Sequence, residues 1–544
     1  MKLFQPKLFT AFKSYSKNQL VNDLIAGVIV AIIALPLSIA LAIASGVSPE
    51  KGLYTAIVAG FVIAFLGGSN VNISGPTAAF ATIVAGIVAQ FGTSGLVIAT
   101  IMAGLILIIM GVLKFGSLIK YIPHTITTGF TSGIALTIVI GQIKDFLGLT
   151  FPEGMPTVET AEKVEAIAKS LTTFNPQALL VGAIGMAILI VWPKISKKIP
   201  GSLIAVVVGV VIVKAFNMDV NTVGDLYTIS RDLPSFSLPE FSFETVKQLV
   251  PSAFTIAILA GIESLLSCVV SDGMINDRHN SNTELIAQGV GNICSSLFGG
   301  IPATGAIART AANVKNGGRT PVAGIVHAVV LLLILVVLMP YAAWIPMPII
   351  AAILFMVAYN MCEWRQFVKI CKTAPKSDIL VLVVTFVLTV VFDLVVAIEV
   401  GMLIAVILFM KRMADVAHIR TWSEKPHEND SERLKEIPPH TEVVEFEGPM
   451  FFASAEKFSR IPMGEDIRVI ILRMRNVPAL DATAMRSLNE IYSICKHSGR
   501  TLLLSHTNEQ PLSVMKKAGF IDKVGEDHFL ANIDEALAYA EKID

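Results

Sequence analysis

Charge is scarce in this sequence. Asp, Glu, Lys and Arg make up 15% of its 544 residues, against 54% hydrophobic, where soluble domains carry about 25% charged residues. That shortage excludes an ordinary soluble enzyme, and with a mean hydropathy of +0.69 the chain reads as a polytopic membrane protein. Cysteine is rare too. Cys268, Cys294, Cys362, Cys371 and Cys495 fall in expected spans or on the expected cytoplasmic side, which excludes a disulfide framework. There is no Cys/His cluster with zinc spacing, no Walker A loop and no GxSxG elbow, so no metal, cofactor or catalytic residue is expected. The opening MKLFQPKLFTAFKSYSKNQL carries four lysines but no apolar core with a small-residue cleavage site, so no cleavable signal peptide is read. A net charge of +0 gives no sign of a nucleic-acid partner.

What is plentiful is the apolar run of about 20 residues, the length that crosses hydrocarbon. Fourteen such spans are expected, at roughly 21–44, 51–67, 74–90, 96–113, 122–142, 178–193, 201–216, 252–271, 284–298, 303–315, 321–339, 345–361, 378–392 and 394–412. The N-terminal arm, residues 1–20, is basic. So are alternate loops, among them PKISKKIPG and CEWRQFVKICKTAPK, while the two long loops at 145–176 and 217–251 are acidic. The positive-inside rule then puts both termini in the cytoplasm, with the inner (plasma) membrane as the expected location. Seven spans precede Pro251 and seven follow, so the repeats at about 21–216 and 252–412 have opposite topology.

A broken span recurs at the same place in each repeat: GGSNVNISGPTAAFATIVAG from Gly67 and GGIPATGAIARTAANV from Gly299. Residues before each break are expected to be extended, with helix starting near Pro76 or Thr77 and near Thr304 or Gly305. Irregular backbone at membrane depth survives only where protein or water satisfies it, and paired interrupted segments point to a transporter's central site. Helix N-termini present free N–H groups and partial positive charge, a ready anion site. Gly305, with the small Ala78 and Ala306, is expected to let an anion approach the backbone.

Two charges sharpen this reading. Arg309 lies within a span, where arginine is expensive and usually functional, and helical side chains lean toward the N-terminus, so it is expected to reach the mouth of its half-helix. Glu263 is read as the single acid well inside an apolar span, with Ser267 one turn on, on the same face. Glu263 is a candidate proton-coupling carboxylate, alternatively a cation ligand, and the bland alternative is a Glu263–Arg309 salt bridge that locks two helices. In the coupled reading, protonating Glu263 frees the charge of Arg309 for the substrate. Pro36 is a candidate bend in the first span. The run SDGMINDRHNSNTELIAQGVGN, Ser271 to Asn292, reads as a solvated loop and helix cap.

From Ala414 the composition turns soluble. EKPHENDSERLKEIPPH reads as a flexible connector within 413–437. From 438 to 544 the pattern is βαβ-like: TEVVEFEG, RVIILRMR and TLLLSHT are strand-like, and DATAMRSLNEIYSICKHSG, VMKKAGF and IDEALAYAEKI are helical.

The stretches SGPTAAF, IESLLS, DRHNSNTELIAQGVGN, GGIPATGAIARTAAN and NGGRTPVAGIVHA, in that order, resemble the SulP sulfate-permease family, the bacterial branch of solute carrier family 26. VPALDATAMRSL resembles the loop and helix of a STAS domain. The resemblance implies a seven-plus-seven inverted repeat divided into core and gate, elevator-like movement, a homodimer and a cytoplasmic STAS domain. It places the anion at Thr77, Ala78, Gly305, Ala306 and Ile307, with Arg309 beside them and a coupling acid at Glu263. Sodium-driven bicarbonate members have Asp and Thr where this chain has Glu263 and Ser267, and Thr where it has Ile307. That departure favours protons over sodium. Thr483 matches a position phosphorylated in anti-sigma-factor antagonists. The expected function is therefore a secondary active transporter of a small anion (sulfate, bicarbonate or a dicarboxylate). The alternatives are a sodium-coupled bicarbonate transporter, an anion channel or exchanger, a nucleobase permease of the same fold, and a membrane-tethered STAS scaffold. None of these is an enzyme.

Overall fold

The computed structural model describes residues 4–12, 15–117, 123–152, 154–155, 157, 159–196, 199–230, 232–239, 242–392, 394–422, 437–455, 457, 464 and 466–543. By its internal contacts the chain falls into two units, Met1–Met402 and Leu403–Asp544.

The first unit is helical. In chain order it holds α1 (Lys17–Ala44), α2 (Pro49–Leu66), α3 (Ala81–Val112), α4 (His124–Leu147), α5 (Pro176–Ile195), α6 (Gly201–Ala215), α7 (Phe243–Ile275), α8 (Ser281–Leu297), α9 (Ile307–Lys315), α10 (Val322–Ala342), α11 (Met347–Met361) and α12 (Lys376–Val391), and α13 (Leu394–Val416) leads out of it. Among the described residues, eight helices are long and apolar enough to cross a membrane. Each of the fourteen expected spans is helical over most of its described length, the third and tenth after a short strand. The third and fourth share α3, which breaks at Gly92, where φ is 67°, a backbone state that glycine adopts at little cost. Pro36 lies inside α1, which continues through it. Short helices fill stretches expected as loop, at Thr160–Ser170, Val223–Leu226 and Trp364–Thr373.

The helices pack in two groups. α1, α2, α3, α7, α8, α9 and α10 contact one another, and α4, α5, α6, α11 and α12 form the second set. Small residues permit the close crossings in the first group. A Cβ built on Gly104 would meet the Gly289 carbonyl at 2.6 Å, which fixes the approach of α3 to α8. The N-terminal arm is docked on this group. Its helix Lys7–Ala11 starts with Lys7 N–H donating to the Gly67 carbonyl (2.9 Å), and Lys7 Nζ pairs with Asp277 at 3.1 Å.

Two short strands lie inside the first group, β1 (Ser74–Gly75) and β2 (Thr304–Gly305). They pair antiparallel, Ser74 opposite Gly305 and Gly75 opposite Thr304.

The second unit is a five-stranded sheet of β3 (His418–Trp422), β4 (Thr441–Glu447), β5 (Val469–Asn476), β6 (Thr501–Ser505) and β7 (Phe529–Leu530), in that order. β3 is antiparallel to β4 and the other pairs are parallel. α14 (Ala482–His497), α15 (Glu509–Lys517) and α16 (Ile533–Ile543) cover it. Phe446, Ile470, Leu472, Leu488, Leu504 and Phe520 centre its larger core. The connector expected over 413–437 starts later than the sequence suggests. α13 runs to Val416 and His418–Trp422 is a strand, because its backbone pairs with β4. Residues 423–436 of the connector lie outside the described residues. Thr483 is exposed in the first turn of α14, which Asp481 caps by accepting from Ala484 N–H at 2.8 Å.

Candidate anion site

β1 and β2 bring the two broken spans together back to back. Ala306 N–H extends the ladder by donating to the Ile73 carbonyl at 2.8 Å. Each chain then turns into helix. Thr77 opens a 3₁₀ turn, Ala78–Phe80, that leads into α3, and Ala306 opens α9. The second start is two residues later than expected from sequence. Thr304 and Gly305 are strand because β1 offers their backbone partners, which local propensity does not register. Neither start is capped by a side chain, so first-turn N–H groups of both are left for another acceptor.

Arg309 is the third residue of α9 and is 4% exposed. Its Nη2 donates to the Pro76 carbonyl, while its Nη1, also buried, has no hydrogen-bond partner. Gly75 makes room for this guanidinium, since a Cβ there would lie 2.6 Å from Nη1. Glu263, on α7, is half-buried, and its Oε2 accepts from Thr77 Oγ1 at 2.9 Å. The two charges thus grip consecutive residues, Pro76 and Thr77, at the same half-helix start. No ion pair within 4.0 Å joins them among the described residues, so the bland salt-bridge reading is not what the structure shows. Thr77 is half-buried, Ala78 and Ala306 are 6% and 8% exposed, and Ile307, 42% exposed, stands with Ala308 at the open side.

Two sequence-expected roles shift. Gly305 does not leave space for an anion. A Cβ there would meet Asn72 Nδ2 at 2.7 Å and Ser264 Cα at 3.1 Å, so the glycine admits Asn72. Ser267 does not join Glu263. Its hydroxyl donates to Asn72 Oδ1 at 2.7 Å and lies 3.1 Å from Thr310 Oγ1. Spacing of four places two residues on one face of α7 but does not choose their partners.

The run read as a solvated loop and cap supplies the scaffold of the site. Asn280 does cap α8, accepting from Thr283 N–H. Beyond it, however, Glu284, Gln288 and Asn292 form a buried polar stripe at spacing four, each at most 1% exposed. Glu284 accepts from Gly68 N–H and Asn72 Nδ2, both at 2.8 Å. Gln288 Nε2 donates to Ser74 Oγ at 3.0 Å. Asn292 takes both backbone groups of Ala303, at 2.8 and 2.9 Å. From the other side Thr310 Oγ1 accepts from Ile73 N–H, Asn313 Nδ2 donates to the Val71 carbonyl, and Thr304 Oγ1 donates to the Ala260 carbonyl. Many of the backbone polar groups of both crossings are thereby paired with protein, as irregular backbone in a membrane interior requires. Glu263 is accordingly not the sole acid inside the helical unit. Glu284 is 1% exposed, and Asp23 is fully buried, accepting from Tyr15, Gln19, Arg319 and Thr320.

The Sulfate permease family model matches residues 20–385, and the STAS domain model matches residues 433–536. The chain belongs to the sulfate permease family. YvdB of Bacillus subtilis, a candidate sulfate transporter, is 40% identical over 529 residues, covering 96% of this chain and 98% of its own. The bicarbonate transporter BicA of a Picosynechococcus species is 31% identical, covering 91% and 90%. Among solved structures, the BicA transmembrane domain matches with a TM-score of 0.62 at 32% identity, over 71% of this chain and 98% of that one. The murine solute carrier 26 family member A9 anion transporter matches with a TM-score of 0.89 at 21% identity, over 99% and 94%, which supports the fold. The protein is therefore a multi-pass membrane anion transporter of this family, with a helical fold consistent with a seven-plus-seven repeat and a C-terminal STAS domain, and its relatives are named as transporters.

Proposed function

We propose that the chain carries a small oxyanion together with a proton, with the anion held between the starts of α3 and α9. The observation that carries this is the buried, unpartnered Nη1 of Arg309 at the meeting point of two uncapped half-helices. The N–H groups around Thr77 and Ala78 and around Ala306 and Ile307 supply the remaining donors, and their dipoles add to the arginine's charge. A proton as companion ion follows from charge. At the crossing itself, with Glu263 and Glu284 both ionised and Arg309 the one cation among these three groups, the charge is −1 before any substrate enters. Glu284 is held by neutral donors on both oxygens, whereas Glu263 has a single hydroxyl and an open side, so Glu263 is the carboxylate that gains the proton. Ser267 supports protons over sodium, because its hydroxyl is committed to Asn72 and Thr310 and does not face Glu263. The two helix groups are read as core and gate moving past one another, in a homodimer of the plasma membrane with cytoplasmic termini. We read the transporter domain as 21–412 and the STAS domain as 438–544.

The test is uptake of labelled sulfate, bicarbonate and fumarate into proteoliposomes under an inward proton gradient, then under an inward sodium gradient at constant pH. Proton-driven uptake of one anion is expected, with the pH drive lost in Glu263→Gln. A second reading is sodium-coupled bicarbonate uptake; the similarity to the bicarbonate transporter BicA favours its substrate. Sodium-driven bicarbonate accumulation that survives collapse of the proton gradient would establish it in place of the first.

A further inference from the structure

His327 has no place in the transport scheme above, yet it lies directly behind the site. It is fully buried in α10, and neither ring nitrogen has a hydrogen-bond partner. An imidazole so placed leaves at least one N–H donor and one acceptor desolvated, at a cost of about 1–3 kcal/mol per unpaired group, so a partner is required.

The packing says where that partner sits. α10 approaches the crossing strands over small residues. A Cβ on Gly324 would lie 2.9 Å from Ala64 Cβ and 3.8 Å from the Asn72 carbonyl. His327, one turn further on, faces the same way. Its Cδ2 lies 3.9 Å from the Cβ position of Gly60, which is itself 3.2 Å from the Ser74 carbonyl of β1. The unpartnered Nη1 of Arg309 rests on the neighbouring turn of α2, where the Cβ position of Gly75 lies 2.6 Å from Nη1 and 3.5 Å from Ala56 Cα. Ala56 and Gly60 are four residues apart on α2, about 6 Å along its axis. Orphaned donors of an arginine and an orphaned acceptor of a histidine thus occupy successive turns of one small-residue surface.

We propose that a buried water joins Arg309 Nη1 to the neutral ring of His327, making His327 the positioning residue for the anion-binding arginine. The water accepts from one N–H of Nη1 and donates to the unprotonated ring nitrogen, and so pairs the orphaned ring acceptor with the arginine. Pro76 holds Nη2 and the water holds one of the two N–H groups of Nη1, so the plane of the guanidinium is set and the second N–H of Nη1 stays free for the anion. The ring stays neutral throughout, because a second cation beside Arg309 would repel it.

This inference rests on the reading of Arg309 as an anion ligand, and the experiment separates the two. Labelled sulfate, bicarbonate and fumarate are offered to proteoliposomes of the full chain, and KM and maximal rate are measured for the anion the wild type accumulates, across about pH 5.5–8.5. His327→Leu should raise KM about tenfold with the maximal rate within about twofold. His327→Gln, whose amide both donates and accepts, should restore most of the affinity and leave the pH profile unchanged. A wild-type KM in His327→Leu overturns the proposal, as does loss of a pH inflection in His327→Gln, which would make the ring a titrating group. The anion reading of Arg309 fails separately if Arg309→Lys keeps the wild-type KM. Should His327→Leu not fold, a cryo-EM map of the wild type decides. Density bridging the ring and Nη1 supports the proposal, and a direct protein partner for both nitrogens overturns it.

Discussion

At the scale of single residues, the site depends on how one arginine is shared. Arg309 spends Nη2 on the Pro76 carbonyl and keeps an N–H of Nη1 for the anion, an arrangement that requires the fixed fork of a guanidinium. Lysine has the charge but cannot reach two acceptors in one plane. Arg309→Lys is therefore expected to raise the anion KM by about 10- to 100-fold, the equivalent of one charge-assisted hydrogen bond, and Arg309→Ala to abolish uptake. Both are checked by initial uptake rates against anion concentration. Arg309 and Glu263 were legible in the sequence because a charge within an apolar run is conspicuous. Their partners were not. That Gly75 yields to the guanidinium and Gly305 to Asn72 depends on contacts between residues more than 200 positions apart, which no local spacing encodes.

At the scale of elements, α8 is the scaffold. Its stripe of Glu284, Gln288 and Asn292 holds one crossing at Gly68 to Ser74 and the other at Ala303. Asn292→Leu would keep the volume and strand both backbone groups of Ala303. A loss of about 2–4 kcal/mol is expected from two buried unpaired groups. It should be read as a lowered unfolding temperature in detergent, with the KM of the surviving folded protein little changed. The stripe had a signal in the sequence, namely polar residues every fourth position in TELIAQGVGN. It was masked because the same run opens with turn formers and charge, which favoured a solvent-facing reading. The long helices of the membrane unit were legible, since each is an apolar run of spanning length, whereas the short polar helices at Thr160–Ser170, Val223–Leu226 and Trp364–Thr373 were not. The backbone of β1 was foreseen as extended, but Thr304 and Gly305 were expected to open a helix; β2 and its pairing with β1 were not foreseen, and that pairing moved the start of α9 to Ile307.

At the scale of the whole molecule, two kinds of interior coexist. The helical unit satisfies buried polar groups with side chains from distant helices, and the sheet unit has an ordinary apolar core with acids at its edge. Glu442, in β4, is buried, and that burial raises its carboxyl above the usual glutamate range, partly offset by Gly464 and Arg500. A raised folded value means that the ionised form costs stability, so the cost is absent at low pH and grows as pH rises past about 4.3. Glu442→Gln should therefore strengthen the sheet near neutral pH and change it little below about pH 4. Hydrogen-exchange protection of the β4 and β5 amides in the full chain is the measurement. The missed strands of this unit, His418–Trp422 and Phe529–Leu530, lie at its edges, where short segments are specified by their neighbours more than by their own residues.

The pairing of Ser74 with Gly305 also sets a timetable for biosynthesis. The partners are 305 − 74 = 231 residues apart, and at about 5–20 residues per second the ribosome needs roughly 10–50 s to travel between them. For that interval the first repeat sits in the bilayer with the backbone of Val71 to Gly75 lacking most of the groups that later satisfy it, because α8, β2 and α9 have not yet been made. The nascent half must wait in a partly hydrated or chaperoned state, and the binding site comes into existence only when its second helix emerges. Each repeat by itself is an incomplete folding unit, and quality control in the membrane has a defined segment to inspect.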